Sequence, residues 1–343
     1  MKTERIGYMD ALRGLAIFLM VMGHVLAWLY IDSKQAFATN LYSGLLWEFI
    51  YSFHMPLFMF VSGYFLVIKF NDNLLKESAK FVYKKSIALL LPFITMGFLL
   101  WAVRDNGVEY WFLRTLFELF IVCLPLYLLS SFIANKLRNI RKDYYLLLID
   151  LIIFALGFVI IIVIGKLLNS TLEAIFDTTK IVRLYPFFIS GLLLRRHKLL
   201  QKIVSQNIIY SLSLITFVAS FFIRFFDYYH IPVFIINFSA IFALRYFFEN
   251  SLNNESRGFK LFSLFGKHSI GIYLIHFFFS FRLTELGDYL LKVDFYGTSL
   301  LIQIVYSIVV SFIIVGLCLG ISKILSTGKI LNLLLLGKQN YIK

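Results

Sequence analysis

The sequence predicts an all-α, polytopic integral membrane protein with about ten transmembrane helices and both termini in the cytoplasm. Three features carry this expectation: scarcity of charge, recurrence of apolar stretches long enough to span a bilayer, and alternation of the basic residues between those stretches. Of the 343 residues, 60% are hydrophobic and 15% charged, against about 25% charged in soluble chains. A soluble fold cannot enclose that much apolar surface. Single apolar stretches such as Leu15 to Tyr30, Tyr144 to Ile164 and Gln303 to Leu319 approach or match the roughly 20 helical residues that cross about 30 Å of hydrocarbon.

Taken in order, the expected spans are 8–30, 44–68, 81–103, 111–133, 144–165, 181–195, 206–226, 231–248, 268–283 and 297–322. The first carries Arg13 and His24 and has no small-residue cleavage site after it, so it reads as a retained helix rather than a signal peptide. The sixth and ninth are short and contain Tyr185, Pro186 and Gly191, and Gly271 and Tyr273. Such helices are expected to tilt, to be partly re-entrant or to be shielded by neighbours. Trp101, Tyr110, Trp111, Tyr228 and Tyr229 gather near span ends as an aromatic belt. With no internal repeat and no long polar linker, residues 1–343 read as a single transmembrane domain.

The net charge of +14 does not point to nucleic acid, because the basic residues form neither an arm nor an aromatic-interleaved face. Two precede the first span (Lys2 and Arg5), five fall between Lys69 and Lys85, and four fall in each of Lys136–Lys142, Arg195–Lys202, Arg245–Lys267 and Lys323–Lys343. The intervening connections carry fewer, which by the positive-inside rule places both termini in the cytoplasm. Cys123 and Cys318 both lie in apolar stretches, so no disulfide framework is expected. No metal-binding or phosphate-cradling motif is visible.

An ionisable group in hydrocarbon costs at least about 2.5–3.5 kcal/mol, so each one asks for a partner or a purpose. In YMDALRGLAIFLMVMGHVLAW, Asp10, Arg13 and His24 fall within about 60° of one another on a helix, with Arg13 and His24 about 16 Å apart along its axis. A fixed cation at the cytoplasmic mouth and an imidazole deeper in suit an elongated ligand with phosphate at one end. The structural alternative has Arg13 reaching the headgroups and pairing with Asp10, and His24 bonding to a neighbouring helix. In FHMPLFMFVSGYF, His54 and Pro56 are expected to break or kink the helix, while Ser62 and Gly63 permit close helix approach or line a cavity. Glu118 follows Arg114 by one turn and neutralises it or lines a cavity. His276 lies mid-helix in GKHSIGIYLIHF. Lys84 and Lys85 either anchor a helix end to anionic lipid or attract a polyanionic ligand.

Together MDALRGLAIFLMVMGH, FHMPLFMFVSGYF, YWFLRTLFEL, YPFFISGLLLRR and GKHSIGIYLIH resemble the acyltransferase-3 family of membrane acyltransferases, and most closely its stand-alone sugar O-acetyltransferases of bacterial surface polysaccharides. The resemblance implies a ten-helix protein of the bacterial cytoplasmic membrane that takes an acyl group, usually acetyl, from cytoplasmic acyl-coenzyme A and passes it to a hydroxyl of a glycan or lipid-linked sugar. It makes His24 the essential histidine and Arg13 the essential first-helix arginine. Lys84 and Lys85 stand where the family carries an arginine-rich element, which keeps phosphate attraction but not bidentate clamping. The chemistry agrees: deprotonating an attacking hydroxyl near neutral pH suits an imidazole of ordinary pKa about 6.5. The rival reading is a transporter or flippase for lipid-linked sugars or small solutes, in which the same polar groups line a path; it would consume no acetyl-coenzyme A.

Overall fold

In hydrocarbon every backbone polar group must be bonded within the protein, and helix is the only regular structure among the residues described by the computed structural model: 7–29, 41–66, 74–104, 110–137, 143–167, 176–226, 233–252, 255–279, 283–292 and 296–338. Seven helices are long and apolar enough to cross a membrane, and nine crossings result if each of two bent pairs counts as one. The tenth segment, Thr178–Arg196, is helical over 19 residues at the expected sixth span. Its Lys180, Arg183, Arg195 and Arg196 make it too polar to qualify on hydropathy.

The ends at 30, 68 and 231 of the expected spans 8–30, 44–68 and 231–248, and residues 280–282 of 268–283, fall outside the described residues. So do Tyr228 and Tyr229 of the aromatic belt and Lys2, Arg5, Lys69, Lys142 and Lys343 of the basic clusters.

The chain forms two compact units, residues 1–58 with 207–327 and residues 59–206 with 328–343. The first contains α1 (Gly7–Leu29), α2 (Leu41–Tyr51) and the start of α3 (His54–Tyr64). The break between α2 and α3 at Ser52–Phe53 is the interruption expected around His54 and Pro56. Ser52 Oγ donates to Phe49 O at 2.7 Å, and His54 Nδ1 lies 2.8 Å from Ile50 O. Side chains thus satisfy carbonyls freed where the helix stops and Pro56 has no amide to offer.

The rest of the first unit is α10 (Asn207–Phe226), α11 (Val233–Tyr246), α12 (Arg257–Lys267), α13 (Ser269–Ile275), α14 (Thr284–Lys292) and α15 (Tyr296–Leu325). The ninth span is not the short helix expected over 268–283. It begins at Arg257, bends by 67° between α12 and α13, and ends in a tight turn at His276–Phe279.

Helix α1 is the centre of this unit, buried on nearly every side, and it meets α12 backbone to backbone. A Cβ on Gly14 would lie 1.8 Å from Phe262 O, and one on Gly266 would lie 1.8 Å from Asp10 O. Each glycine Cα is therefore within about 3.3 Å of a carbonyl oxygen, the range of a Cα–H···O contact. Above the crossing, Phe18 packs against Phe262, Phe265 and Phe312, the last at a ring separation of 4.6 Å.

Helix α15 is built inside out. Ser299, Gln303, Ser307 and Ser311, four apart and so on one face, are buried, while Leu301, Val305, Val309 and Ile313 are exposed. That arrangement suits lipid outside and polar partners within.

The second unit holds the remainder of α3, α4 (Leu74–Lys85), α5 (Leu91–Arg104), α6 (Trp111–Lys136), α7 (Asp143–Leu167), α8 (Thr178–Arg196), α9 (Lys198–Val204) and α16 (Lys329–Leu336). It repeats the same device, since a Cβ on Gly63 would lie 1.8 Å from Phe188 O and one on Gly191 would lie 1.9 Å from Phe60 O.

Helices α6, α7 and α8 are tied by charge. Asp150, 2% exposed, accepts from Ser130 Oγ and pairs with Arg196 Nε at 3.1 Å and His197 Nε2 at 2.8 Å. His197 Nδ1 faces Asp143 Oδ1 at 3.3 Å, and Arg196 also donates to Ser130 Oγ at 2.7 Å and lies over the Tyr127 ring.

Two outcomes follow for protein extracted in mild detergent. Gly14→Val and Gly191→Val push a branched side chain into backbone that cannot yield, costing about 3 kcal/mol or more; thermal-shift measurements should find both much less stable than Ala27→Val. Asp150→Ala takes from Arg196 and His197 the buried carboxylate they share, a loss of about 3–5 kcal/mol, and should lower the melting temperature far more than Asp143→Ala, whose own carboxylate is more exposed.

Candidate functional site

Every candidate site residue named from the sequence is among the described residues. Asp10, Arg13 and His24 all project from α1; Asp10 is buried, while Arg13 and His24 are half-buried. The structure brings to His24 a residue distant in sequence that was also singled out there, His276. Their ring centroids lie 5.3 Å apart, with Phe277 at 5.0 Å and Trp28 at 6.0 Å from the His24 ring.

The bend in the ninth span makes this meeting possible. α12 lies against the lower half of α1 through Gly266, α13 carries the chain onward, and the tight turn after Ile275 presents His276. His276 is fully buried. Its Nδ1 lies 2.7 Å from Tyr273 O and 3.2 Å from Ile272 O. Two carbonyls can only accept, so Nδ1 carries the proton and Nε2 keeps its lone pair. That Nε2 is buried with no hydrogen-bond partner among the described residues.

His54 belongs to a different environment. It is buried against Ile50 O and the Tyr51 ring, 4.7 Å away, which assigns it to the helix break. Ser62, also buried, adjoins Gly63 at the α3–α8 crossing. Lys84 is exposed and Lys85 half-buried at the end of α4; Lys85 Nζ sits 3.8 Å above the Phe120 ring, a cation–π contact with the charge still near water.

Arg114 does not simply neutralise Glu118. Its Nε is 3.8 Å from Glu118 Oε1 and its Nη2 is 3.6 Å from Asp177 Oδ2, so one guanidinium serves two carboxylates. Asp177 caps α8 through the Lys180 amide at 3.0 Å and holds Lys180 Nζ at 2.5 Å. Desolvation pushes the Asp177 carboxyl up, but the two Lys180 hydrogen bonds and the charges of Lys180 and Arg114 together outweigh it and hold it below the usual range.

Two charged groups that matter were not singled out from the sequence. Arg245, 1% exposed on α11, pairs with Glu249 at 2.5 Å and lies 6.0 Å from the Tyr8 ring at the start of α1. Asp150 holds the α6–α7–α8 network. The signal for Asp150 was present, as the one carboxylate inside YYLLLIDLIIFALG; Arg245 was hidden among the basic residues of a connection.

A stretch of 96 residues is 33% identical to nodulation protein NolL of Mesorhizobium japonicum, covering 28% of this chain and 24% of that protein. This chain therefore aligns with about a quarter of that relative's length. No solved structure matches the chain. The family model described as an acyltransferase domain matches residues 6–105 and 108–323, nearly the whole chain, including α1 with Arg13 and His24 and the turn at His276. This multi-pass membrane protein belongs to the acyltransferase-3 family of membrane acyltransferases.

Proposed function

We propose that the protein moves an acetyl group from cytoplasmic acetyl-coenzyme A to a hydroxyl of a cell-surface glycan or lipid-linked sugar at a bacterial cytoplasmic membrane, with His24 as general base. The observation that carries this reading is the face of α1. Arg13 lies near its cytoplasmic end, and His24 lies eleven residues on, beside a second imidazole. Coenzyme A bears phosphates at one end and sulfur at the other, and an axial separation of about 16 Å suits that length.

Arg13 pairs with phosphate oxygens through a planar guanidinium, and Lys84 and Lys85 add positive charge at the membrane surface. His24 takes the proton of the acceptor hydroxyl as its oxygen bonds to the thioester carbonyl carbon. The carbon–sulfur bond then breaks, and the departing thiolate of coenzyme A takes up a proton. The name of the partial relative, a nodulation protein, is compatible with a cell-surface product and does not specify one.

Mass spectrometry of surface glycans from cells with the intact gene, the deletion and His24→Ala tests the reaction. The expected result is loss of a base-labile increment of about 42 Da, the mass an acetyl adds, in both altered strains. An unchanged glycan in the deletion overturns the reading, and full acetylation by an inserted, folded His24→Ala protein removes His24 from it. For Arg13, Arg13→Ala should raise the KM for acetyl-coenzyme A by about tenfold or more, and Arg13→Lys should recover only part of it, because lysine keeps the charge without the bidentate fork.

A further inference from the structure

Among the buried polar atoms of the first unit that have no hydrogen-bond partner among the described residues, two are acceptors close to α1. One is His276 Nε2, whose lone pair is fixed by the bond from Nδ1 to Tyr273 O. The other is Gln303 Oε1 on α15. Gln303 is fully buried; its Nε2 donates to Ser299 Oγ at 3.3 Å, and Ser299 in turn donates to Leu290 O at 3.2 Å. This chain orients the amide and leaves Oε1 without a partner among the described residues.

The two acceptors belong to one neighbourhood. α15 packs against α1, α13 and the His276 turn. The Phe18–Phe312 ring contact fixes the register of α15 against α1. As the first and last of the ten expected spans, with both termini expected on one side, the two helices run in opposite directions. His24 is six residues from Phe18, or about 9 Å, and Ser307 is five from Phe312, or about 7.5 Å, so Ser307 lies nearly level with His24. Gln303 is one turn further from the cytoplasm. Leaving such acceptors unpaired is costly, a penalty that a ligand rich in hydroxyl donors would remove.

We infer that this neighbourhood is the acceptor subsite, in which Gln303 Oε1 and His276 Nε2 accept hydrogen bonds from the hydroxyls of a sugar that enters along the polar face of α15 and stops beside His24. The inference rests on the acyltransferase reading above and extends it by naming the residues that hold the acceptor. Polyhydroxylated ligands fit the chemistry because each hydroxyl has a proton to donate to an open acceptor and lone pairs to accept with. Trp28, packed near His24, supplies an aromatic face of the kind that covers the C–H side of a sugar ring. An acceptor with no O–H or N–H donor to spare would leave Oε1 and Nε2 unpaired.

Gln303→Met keeps side-chain length while removing the acceptor, and Ser307→Ala makes a smaller change that packing tolerates. Both are compared with the wild type and with Leu301→Ala on the exposed face of α15, in cells and as detergent-solubilised protein. The readouts are acetate released by mild base from surface glycan, scaled to protein in the membrane, and the Kd for radiolabelled acetyl-coenzyme A. Gln303→Met is expected to lose about tenfold in glycan acetate and Ser307→Ala a smaller multiple, each with Kd within about twofold of the wild type; Leu301→Ala should match the wild type in both. Wild-type acetate levels in Gln303→Met and Ser307→Ala overturn the inference, as does a loss of acetate matched by loss of acetyl-coenzyme A binding, which would make α15 part of the donor site or of the scaffold. Failure of the underlying reading has a different signature: a wild-type protein that does not bind acetyl-coenzyme A and whose deletion leaves glycan acetate unchanged.

Discussion

Helices in lipid gain little from burying apolar faces against one another, since hydrocarbon already surrounds them; close association has to come from backbone proximity, dispersion and polar contacts. The reciprocal approach of Gly14 and Gly266, each pressed on a carbonyl of the partner helix, is the constraint on which the first unit depends. It fixes α12 to α1 at one point with almost no freedom of sliding. α13 and the His276 turn follow directly from α12 in the chain, so the place where α12 is pinned determines where that imidazole arrives. A side chain of any size at Gly14 would move the attachment, and His276 with it. The second unit pins α3 to α8 in the same way at Gly63 and Gly191, so backbone contact is a general device of this protein.

Polar groups form the second layer of the design. In the second unit Asp150 gathers Arg196, His197 and Ser130 from two other helices, and every member has an opposite charge or a hydroxyl to meet. Such a network is expensive to bury and correspondingly costly to break, and it gives α6, α7 and α8 one relative arrangement. The first unit treats its deepest polar groups differently. His276 Nε2 and Gln303 Oε1 are held in place by bonds on their other sides and left with open lone pairs. One arrangement surrounds a buried carboxylate with opposite charge and a hydroxyl, which suits a scaffold; the other orients its acceptor atoms and leaves them open, which suits a site.

Much of this was legible in the sequence, because the constraints are local. Apolar length marked the helices long enough to cross a membrane, seven of them or nine with the two bent pairs, and His54 with Pro56 marked the break between α2 and α3. The glycines of the two crossings lie within LRGLA, VSGYF, ISGLL and FGKHS, but their pairing joins residues more than a hundred positions apart, and no local pattern announces it. The ninth segment was expected to start at 268 because Arg257–Lys267 is polar. Its apolar face and its bend at His268 became evident only when α1 lay against it. Gln303 was read as the start of an apolar stretch, which is true of its neighbours. The four-residue spacing of Ser299, Gln303, Ser307 and Ser311 was visible, but which face of α15 turns inward depends on α1 and α13.

The face of α1 was read correctly as one line of Asp10, Arg13 and His24, yet a line supplies only one dimension of a site. A base that acts on a hydroxyl must find that hydroxyl in a fixed position, because orientation contributes as much to such a reaction as proton affinity does. Nothing on α1 itself supplies that position, since one turn above and below His24 the helix offers Trp28 and Met20 on this side. The fixed acceptors come from the two elements packed beside it, the His276 turn and α15. Both are oriented from behind by hydrogen bonds that do not involve α1: Nδ1 of His276 to its own helix, and Nε2 of Gln303 to Ser299. Orientation from the second layer allows an acceptor atom to remain unpaired without swinging away. The imidazole of α1 would supply the proton chemistry, and the two neighbouring elements would decide which hydroxyl reaches it.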